Sequence, residues 1–365
     1  MRRPVSWRAK LALVLVGLLV AFVAVESSFR VYKYVQQEQQ ARDWLAVKSR
    51  EVAAAGPEDR VSLGHLIEPS EDADIIYRLL PDLDVGNYFG GSVQSNSHGM
   101  RGPDCAIAKP DSTFRILGLG DSVMFGNGVN NGENFLRVLE DELNARRSED
   151  APRYEAINMA MGGYNTTMEV AHFLHHGLAF GPDLVVIDFV SNDFQLPNFL
   201  AGRTDFKVLD RSFFIEWVER RLGTRRYSSF APLVGSPRRL DPFLSDIERV
   251  QPEYRHMVGH AAYRVAMHKL RDLAEEHGFA VVVTSHGPGH KVVAETAEEC
   301  GFPLVIGRGV LASYLQEHGI DDYRGSVLTL SASDPHPSAL GHQLLGRYYA
   351  ERFLELGLLD RSTDD

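Results

Sequence analysis

Short apolar runs alternating with amphipathic stretches constrain this chain more than any other feature. Residues 114–119 (FRILGL), 184–190 (LVVIDFV) and 279–284 (FAVVVT) are too short for core helices and carry β-branched and aromatic side chains. Each reads as a strand buried on both faces. Residues 154–158 and 304–306 are further strands of the same kind. Between them, residues 133–147 place Leu136, Leu139 and Leu143 on one face with charges opposite, an amphipathic helix. Residues 166–180 and 251–277 continue the helical pattern. Residues 338–356 set Leu340, Leu344, Leu345, Tyr348 and Phe353 at core spacing, with Gly357 as a stop signal. Strands that alternate with helices predict a parallel sheet covered on both faces, an α/β fold.

The N-terminus is of another kind. Arg2, Arg3, Arg8 and Lys10 precede an apolar run over residues 11–25, which Glu26 closes. With its flanks that run approaches the roughly 20 residues a bilayer span needs. No small-residue cleavage site follows, and an apolar helix-compatible stretch continues, so an uncleaved signal anchor is expected rather than a cleaved signal peptide. The basic flank keeps the N-terminus cytoplasmic and the rest extracytoplasmic. Four segments are expected: 1–30, basic stub and transmembrane anchor; 31–110, juxtamembrane linker and lead-in; 111–358, the α/β domain; and 359–365, a polar tail. Residues 75–102 read as loop or short strand. Residues 194–250, mixing aromatics, Gly, Pro and the pairs Arg220-Arg221 and Arg225-Arg226, break the rhythm and read as an insertion or lid.

The 365 residues, 44% hydrophobic and 24% charged, suffice for one large core with appendages. A net charge of −11 with no basic face argues against nucleic acid as a partner. Two cysteines, Cys105 and Cys300, match no zinc spacing; a single disulfide between them depends on proximity that sequence does not give.

In an open parallel sheet, ligands bind at the carboxyl ends of the strands. Polar clusters fall there: Gly120-Asp121-Ser122 after the first strand, Gly162-Gly163-Tyr164-Asn165-Thr166 after the second, and Ser191-Asn192-Asp193 after the third. A fourth, Ser333-Asp334-Pro335-His336-Pro337, opens the last helix. These are the parts acyl transfer requires. A serine hydroxyl needs a neutral imidazole to take its proton, an acid holds that imidazole in the right tautomer, and donors surround the developing oxyanion. Ser122 is the candidate nucleophile, His336 its base and Asp334 the orienter. The backbone N–H groups of Ser122 and Gly163 and the side-chain amide of Asn192 are candidate oxyanion donors.

The order and wording of these blocks resemble the SGNH, or GDSL, hydrolase superfamily, over roughly residues 96–353. The segment 96–103 (NSHGMRGP) is similar to a lead-in of envelope-anchored members. The resemblance implies a three-layer flavodoxin-like fold, no cofactor, and ester hydrolysis or acyl transfer on lipids or glycans. Two departures stand out. Block three lacks its Gly, with Val190 two residues before Asn192. In block five Ser333 lies three before His336 and Asp334 only two, so either Asp334 orients the imidazole from a shifted position or a Ser–His dyad is helped by a carbonyl.

Other signals are weaker. The stretch from Gly118 fails as a dinucleotide fingerprint because Val123 stands at the third glycine position. Glu169, His172, His175 and His176 share one helix at spacings that suit a metal, but a core-edge histidine cluster explains them better, and no metal is expected. His286 and His290 flank a Gly-Pro-Gly loop near the expected site. The expected function is a membrane-anchored serine esterase acting on ester-bearing envelope glycans or lipids. Alternatives are an O-acyltransferase using the same residues, a catalytically idle glycan- or partner-binding module, and a structural anchor.

Overall fold

The computed structural model describes residues 6–54, 59–201, 212–222, 233–235 and 250–360. Arg2, Arg3, Arg225, Arg226, most of the expected insertion and the last five residues lie outside these. The chain forms two compact units, residues 49–200 with 235–365, and residues 1–48 with 201–234.

The larger unit is built on five strands: β1 (Thr113–Gly120), β2 (Arg153–Asn158), β3 (Leu184–Asp188), β4 (Ala280–Ser285) and β5 (Leu304–Ile306). Their order is β5-β4-β3-β1-β2 with every neighbouring pair parallel, which is the flavodoxin-like order. All eight residues of β1 are buried, as a central strand with helices on both faces requires. One face packs against α2 (Thr166–His172), α3 (Gly259–His277) and α4 (Lys291–Cys300). There Leu117, Leu119, Val185, Ile187, Val281 and Val283 meet Val170, Tyr263, Met267, Leu270 and Val293. Alternate strand positions face α1 (Phe135–Arg146) and α6 (Ala339–Glu355), which pack together, with α5 (Arg308–Glu317) beside α6. The α/β/α layering expected from the sequence is present.

Element ends differ where capping intervenes. Asn134 accepts the Arg137 N–H at 3.1 Å and starts α1 two residues late. Regular α-helix stops at His172; residues to Phe180 continue as a π turn and a 3₁₀ turn. The segment expected as one helix over 251–277 is a 3₁₀ turn (Pro252–Met257), an extended Val258, then α3. In the last helix Tyr349, rather than Tyr348, is fully buried. Helices α4 and α5 were not expected; both are short, and α5 follows β5 after only Gly307. The stretch read as loop or short strand, residues 75–102, holds Asp84–Tyr88 paired antiparallel with Gly91–Gln94, and Tyr77–Leu79, whose antiparallel partner Ile67–Pro69 lies just ahead of it. Cys105 and Cys300 are free thiols.

In the smaller unit a single helix begins at Trp7 and runs on to Ala54, beyond the unit's boundary. Its Trp7–Gln36 portion is long and apolar enough to cross a membrane. A second helix, Phe213–Arg221, lies within the expected insertion.

Candidate active site

Gly120 at the end of β1 stands opposite Asp188 at the end of β3. From these neighbours the chain departs in opposite directions, to β2 and to β4, leaving the crevice where open α/β sheets bind ligands. Ser122 leaves β1 on one side of it and Asn192 leaves β3 on the other.

Asp121, 1% exposed, organises the first turn. One carboxylate oxygen accepts the Val123 N–H at 3.0 Å and caps the short helix Ser122–Phe125. The other accepts the Asn192 side-chain amide at 2.8 Å and the Ser122 hydroxyl at 3.1 Å. At the far end of this helix the left-handed Gly126 (φ +86°) turns the chain. The Arg101 guanidinium donates there to the carbonyls of Phe125 (2.5 Å), Gly126 (2.6 Å), Val129 (2.9 Å) and Ser92 (3.0 Å).

His336 Nε2 lies 2.8 Å from Ser122 Oγ, and His336 Nδ1 lies 2.5 Å from Asp334 Oδ1. The two-residue spacing works because the loop curls. Asp334 Oδ1 also accepts the His336 backbone N–H at 3.2 Å, an Asx turn that folds the carboxylate back onto the ring. The Leu330 N–H bound to the His336 carbonyl (3.0 Å) and the Ser338 N–H bound to the Leu328 carbonyl (2.9 Å) hold the loop. Ser333 bonds Ser331 instead, at 3.1 Å. Of the two groups the sequence left open, the shifted carboxylate is the one in contact with the ring. With Nδ1–H donated to Asp334, the Nε2 lone pair faces Ser122, so Nε2 at 2.8 Å and the Asp121 carboxylate at 3.1 Å are alternative acceptors for the one hydroxyl proton.

Gly163 lies on the loop after β2, which runs back along β1 through Met161 N–H to the Gly120 carbonyl at 2.9 Å. It adopts φ +75°, and a Cβ there would sit 2.2 Å from the Asn198 side chain. The loop is braced by the Tyr77 hydroxyl, which donates to the Gly162 carbonyl at 3.1 Å, and by the Tyr164 hydroxyl on the Tyr77 carbonyl. Of the residues expected from sequence, Ser122, His336 and Asp334 are thus in direct contact, Asn192 joins them through Asp121, and Gly163 stands on the adjoining loop.

Buried carboxyls lie behind this row. Burial pushes Asp188 up to about 7, against the pull of the Thr284 hydroxyl that donates to it at 2.7 Å. Burial also raises Glu169 and Asp193 well above the carboxylate range, and the charge of Asp121 adds to both. Burial of this kind favours the protonated, uncharged form of each carboxyl. At the exit of β4, burial pulls His286 down to about 4, while Asp121 raises it and His336 lowers it further. His290 packs on Phe189 and Phe194 instead. The histidines of the metal-like spacing stay clustered, His172 against His176 at 5.4 Å and His176 against His175 at 6.5 Å between ring centroids, while His175 reaches Asp72 at 3.2 Å and buried His172 sits edge-on to Tyr164. Asp121 and Arg101 were not singled out from the sequence, and His286 was read there as a loop residue near the expected site. Asp121 carried a signal, an Asp one residue ahead of a helix start; the burial of Arg101 carried none.

No family model matches the sequence, and no curated protein matches it. Among solved structures, an α/β hydrolase enzyme from the metagenome of Lake Arreo, Spain, is 16% identical, with 68% of this chain and 96% of that chain covered at a TM-score of 0.40. A catalytic mutant of an acetylxylan esterase from Geobacillus stearothermophilus is also 16% identical, covering 68% and 97% at 0.40. The lipase/acylhydrolase from Enterococcus faecalis is 17% identical, covering 67% and 96% at 0.38. Likenesses of this size add nothing to what the strand order and side-chain contacts establish.

Proposed function

We propose that this chain is a serine esterase of the SGNH type, held at a membrane by its N-terminal helix, that cleaves O-acyl esters of envelope glycans or lipids outside the cytoplasm. The observation that carries the reading is the continuous relay Ser122 Oγ to His336 Nε2 and His336 Nδ1 to Asp334 Oδ1. In this reading His336 takes the hydroxyl proton as Ser122 Oγ attacks the acyl carbon. The C=O electron pair moves onto oxygen, where the N–H groups of Ser122 and Gly163 and the Asn192 amide receive it. Collapse of the tetrahedral adduct expels the alcohol, which takes its proton from His336. Water, deprotonated by His336 in turn, then releases the acid and restores Ser122. Asp334 stabilises the imidazolium throughout. The span Trp7–Gln36, with Arg8 and Lys10 ahead of its apolar run, supports a tether with a cytoplasmic N-terminus.

The test is p-nitrophenyl acetate turnover by the detergent-solubilised chain beside Ser122→Ala, with fluorophosphonate labelling of both. Turnover and labelling confined to the wild type are expected. Equal inertness of both proteins, with no label on Ser122, would sink the esterase reading.

A further inference from the structure

Glu26 closes the apolar run, yet within its unit it is only 9% exposed. Its carboxylate accepts the N–H groups of Phe213 and Phe214, each at 3.0 Å, and the Ser212 hydroxyl at 2.7 Å. Arg30, one turn further on, donates to it from Nε at 2.8 Å. The first N–H groups of a helix have no partner within that helix, so Glu26 caps Phe213–Arg221 from a segment far away in sequence. Rings extend the joint. Phe214 meets Phe22 and Phe29 at centroid distances of 6.4 and 5.5 Å, Trp217 meets Phe29 at 5.4 Å, and the Arg30 guanidinium covers Phe213 at 4.9 Å. The joined helix leaves Ile215 (49%), Trp217 (38%) and Leu222 (72%) exposed.

We infer that Phe213–Arg221 is a second membrane contact, stapled to the outer end of the anchor with Trp217, Ile215 and Leu222 in the headgroup layer of a phospholipid bilayer. This rests on the anchor reading proposed above. At 1.5 Å per residue, Trp7 to Glu26 covers about 30 Å, the thickness of the hydrocarbon core. Trp7 and Glu26 then mark its two boundaries. A carboxylate is costly in hydrocarbon but tolerable at its edge with donors around it. The docked helix thereby starts level with the outer end of the span. Tryptophan favours that depth. Arg221, whose guanidinium lies over Trp217 at 5.4 Å, supplies a cation that reaches phosphate while its stem stays apolar.

The chain has three tryptophans, so each can be isolated. The full-length Trp7→Phe/Trp44→Phe protein reports Trp217 alone, and Trp44→Phe/Trp217→Phe reports Trp7 alone. Both go into nanodiscs of phosphatidylcholine with or without brominated acyl chains. Brominated lipid is expected to quench both tryptophans. Adding Glu26→Ala should abolish quenching of Trp217 while Trp7 stays quenched. Quenching of Trp7 without Trp217 overturns the second contact and leaves the anchor standing. Quenching of neither removes the anchor and the inference together. A Trp217 emission that ignores bromine but shifts to the blue with protein concentration assigns the face to a second copy and also overturns the inference.

Discussion

The side-chain amide of Asn192 donates to the Asp121 carboxylate at 2.8 Å, and the same oxygen accepts the Ser122 hydroxyl at 3.1 Å. One buried carboxylate thus fixes both the proposed nucleophile and a proposed oxyanion donor across the gap between β1 and β3. Preorganisation of this kind spares the reaction the cost of aligning its parts.

Removing that carboxylate tests its importance. Asp121→Ala frees the Asn192 amide and uncaps the Val123 N–H. Turnover should fall on the order of 10²-fold, as for loss of one oxyanion donor. Loss of the helix cap should cost about 1 kcal/mol of stability. Kinetics with p-nitrophenyl acetate and thermal unfolding separate the two effects. A lowered melting temperature with unchanged turnover would make Asp121 structural only.

The two-residue spacing between Asp334 and His336 makes a second prediction. Asp334→Asn keeps the shape of the turn but offers an amide to Nδ1, favouring the wrong tautomer. By analogy with the serine-protease triad, turnover should drop roughly 10⁴-fold. Ser333→Ala, three residues before His336, should leave turnover unchanged, because its hydroxyl bonds Ser331. The reverse pattern in the two rates would move the orienting role away from Asp334.

Much of this was legible before any coordinates. The strands and α1 announce themselves because hydrophobic period reports burial directly, and the blocks bearing Ser122, Asn192 and His336 fall where a parallel sheet presents its loops. The fit of Asp334 was not legible, since spacing says nothing of how an Asx turn curls a loop. Nor was Arg101: a charged residue in a Gly- and Pro-bearing stretch reads as solvent-facing, and only the fold reveals the carbonyls it meets. The break before α3 was missed because Val258 fits a helical pattern by hydropathy while its backbone is extended.

Asp188 makes the stability of the fold depend on pH. Its folded pKa is pushed up to about 7 by burial, so the folded chain holds a proton that the unfolded chain releases near 4. Stability conferred by the protonated group is complete below about 4, declines as pH rises, and is gone above about 7. A shift of this size corresponds to about 4 kcal/mol. His172 and His342, pulled down to about 3 by burial, act in the opposite sense, weakening the fold as pH falls below their usual 6.5. The difference between Asp188→Asn and wild type isolates the carboxyl. Unfolding in urea should find the variant gaining on wild type from pH 4 to 7. A difference flat across that range would remove the buried-proton account.

Gly163 predicts a local failure. Alanine would need a left-handed backbone and would drive its methyl into Asn198, 2.2 Å from the Cβ position. Strain of this kind costs about 1–3 kcal/mol, and any relief moves the N–H assigned to the oxyanion. Gly163→Ala should lower kcat more than it raises KM, since the donor acts on charge present only in the transition state. Substituting Asn198→Gly in the same chain should recover part of the rate by making room.

Arg101 ties the lead-in segment to the turn that carries Ser122. Its guanidinium is 4% exposed and donates to four carbonyls, two of them at the end of the helix that begins with Ser122. Burial lowers its pKa to about 10, so it stays charged at neutral pH. Arg101→Ala strands those carbonyls away from water, at about 1–3 kcal/mol for each left unpaired, and should fail to fold or melt far below wild type. Arg101→Lys is the informative variant. An ammonium keeps the charge but lacks the planar fork that reaches Ser92 and Val129 together with Phe125 and Gly126. It should fold with reduced stability and let the helix end drift, displacing Ser122 Oγ from His336. Single-turnover kinetics should then show slower acylation of Ser122 by p-nitrophenyl acetate. Acylation at the wild-type rate in a destabilised Arg101→Lys protein would confine Arg101 to holding the fold.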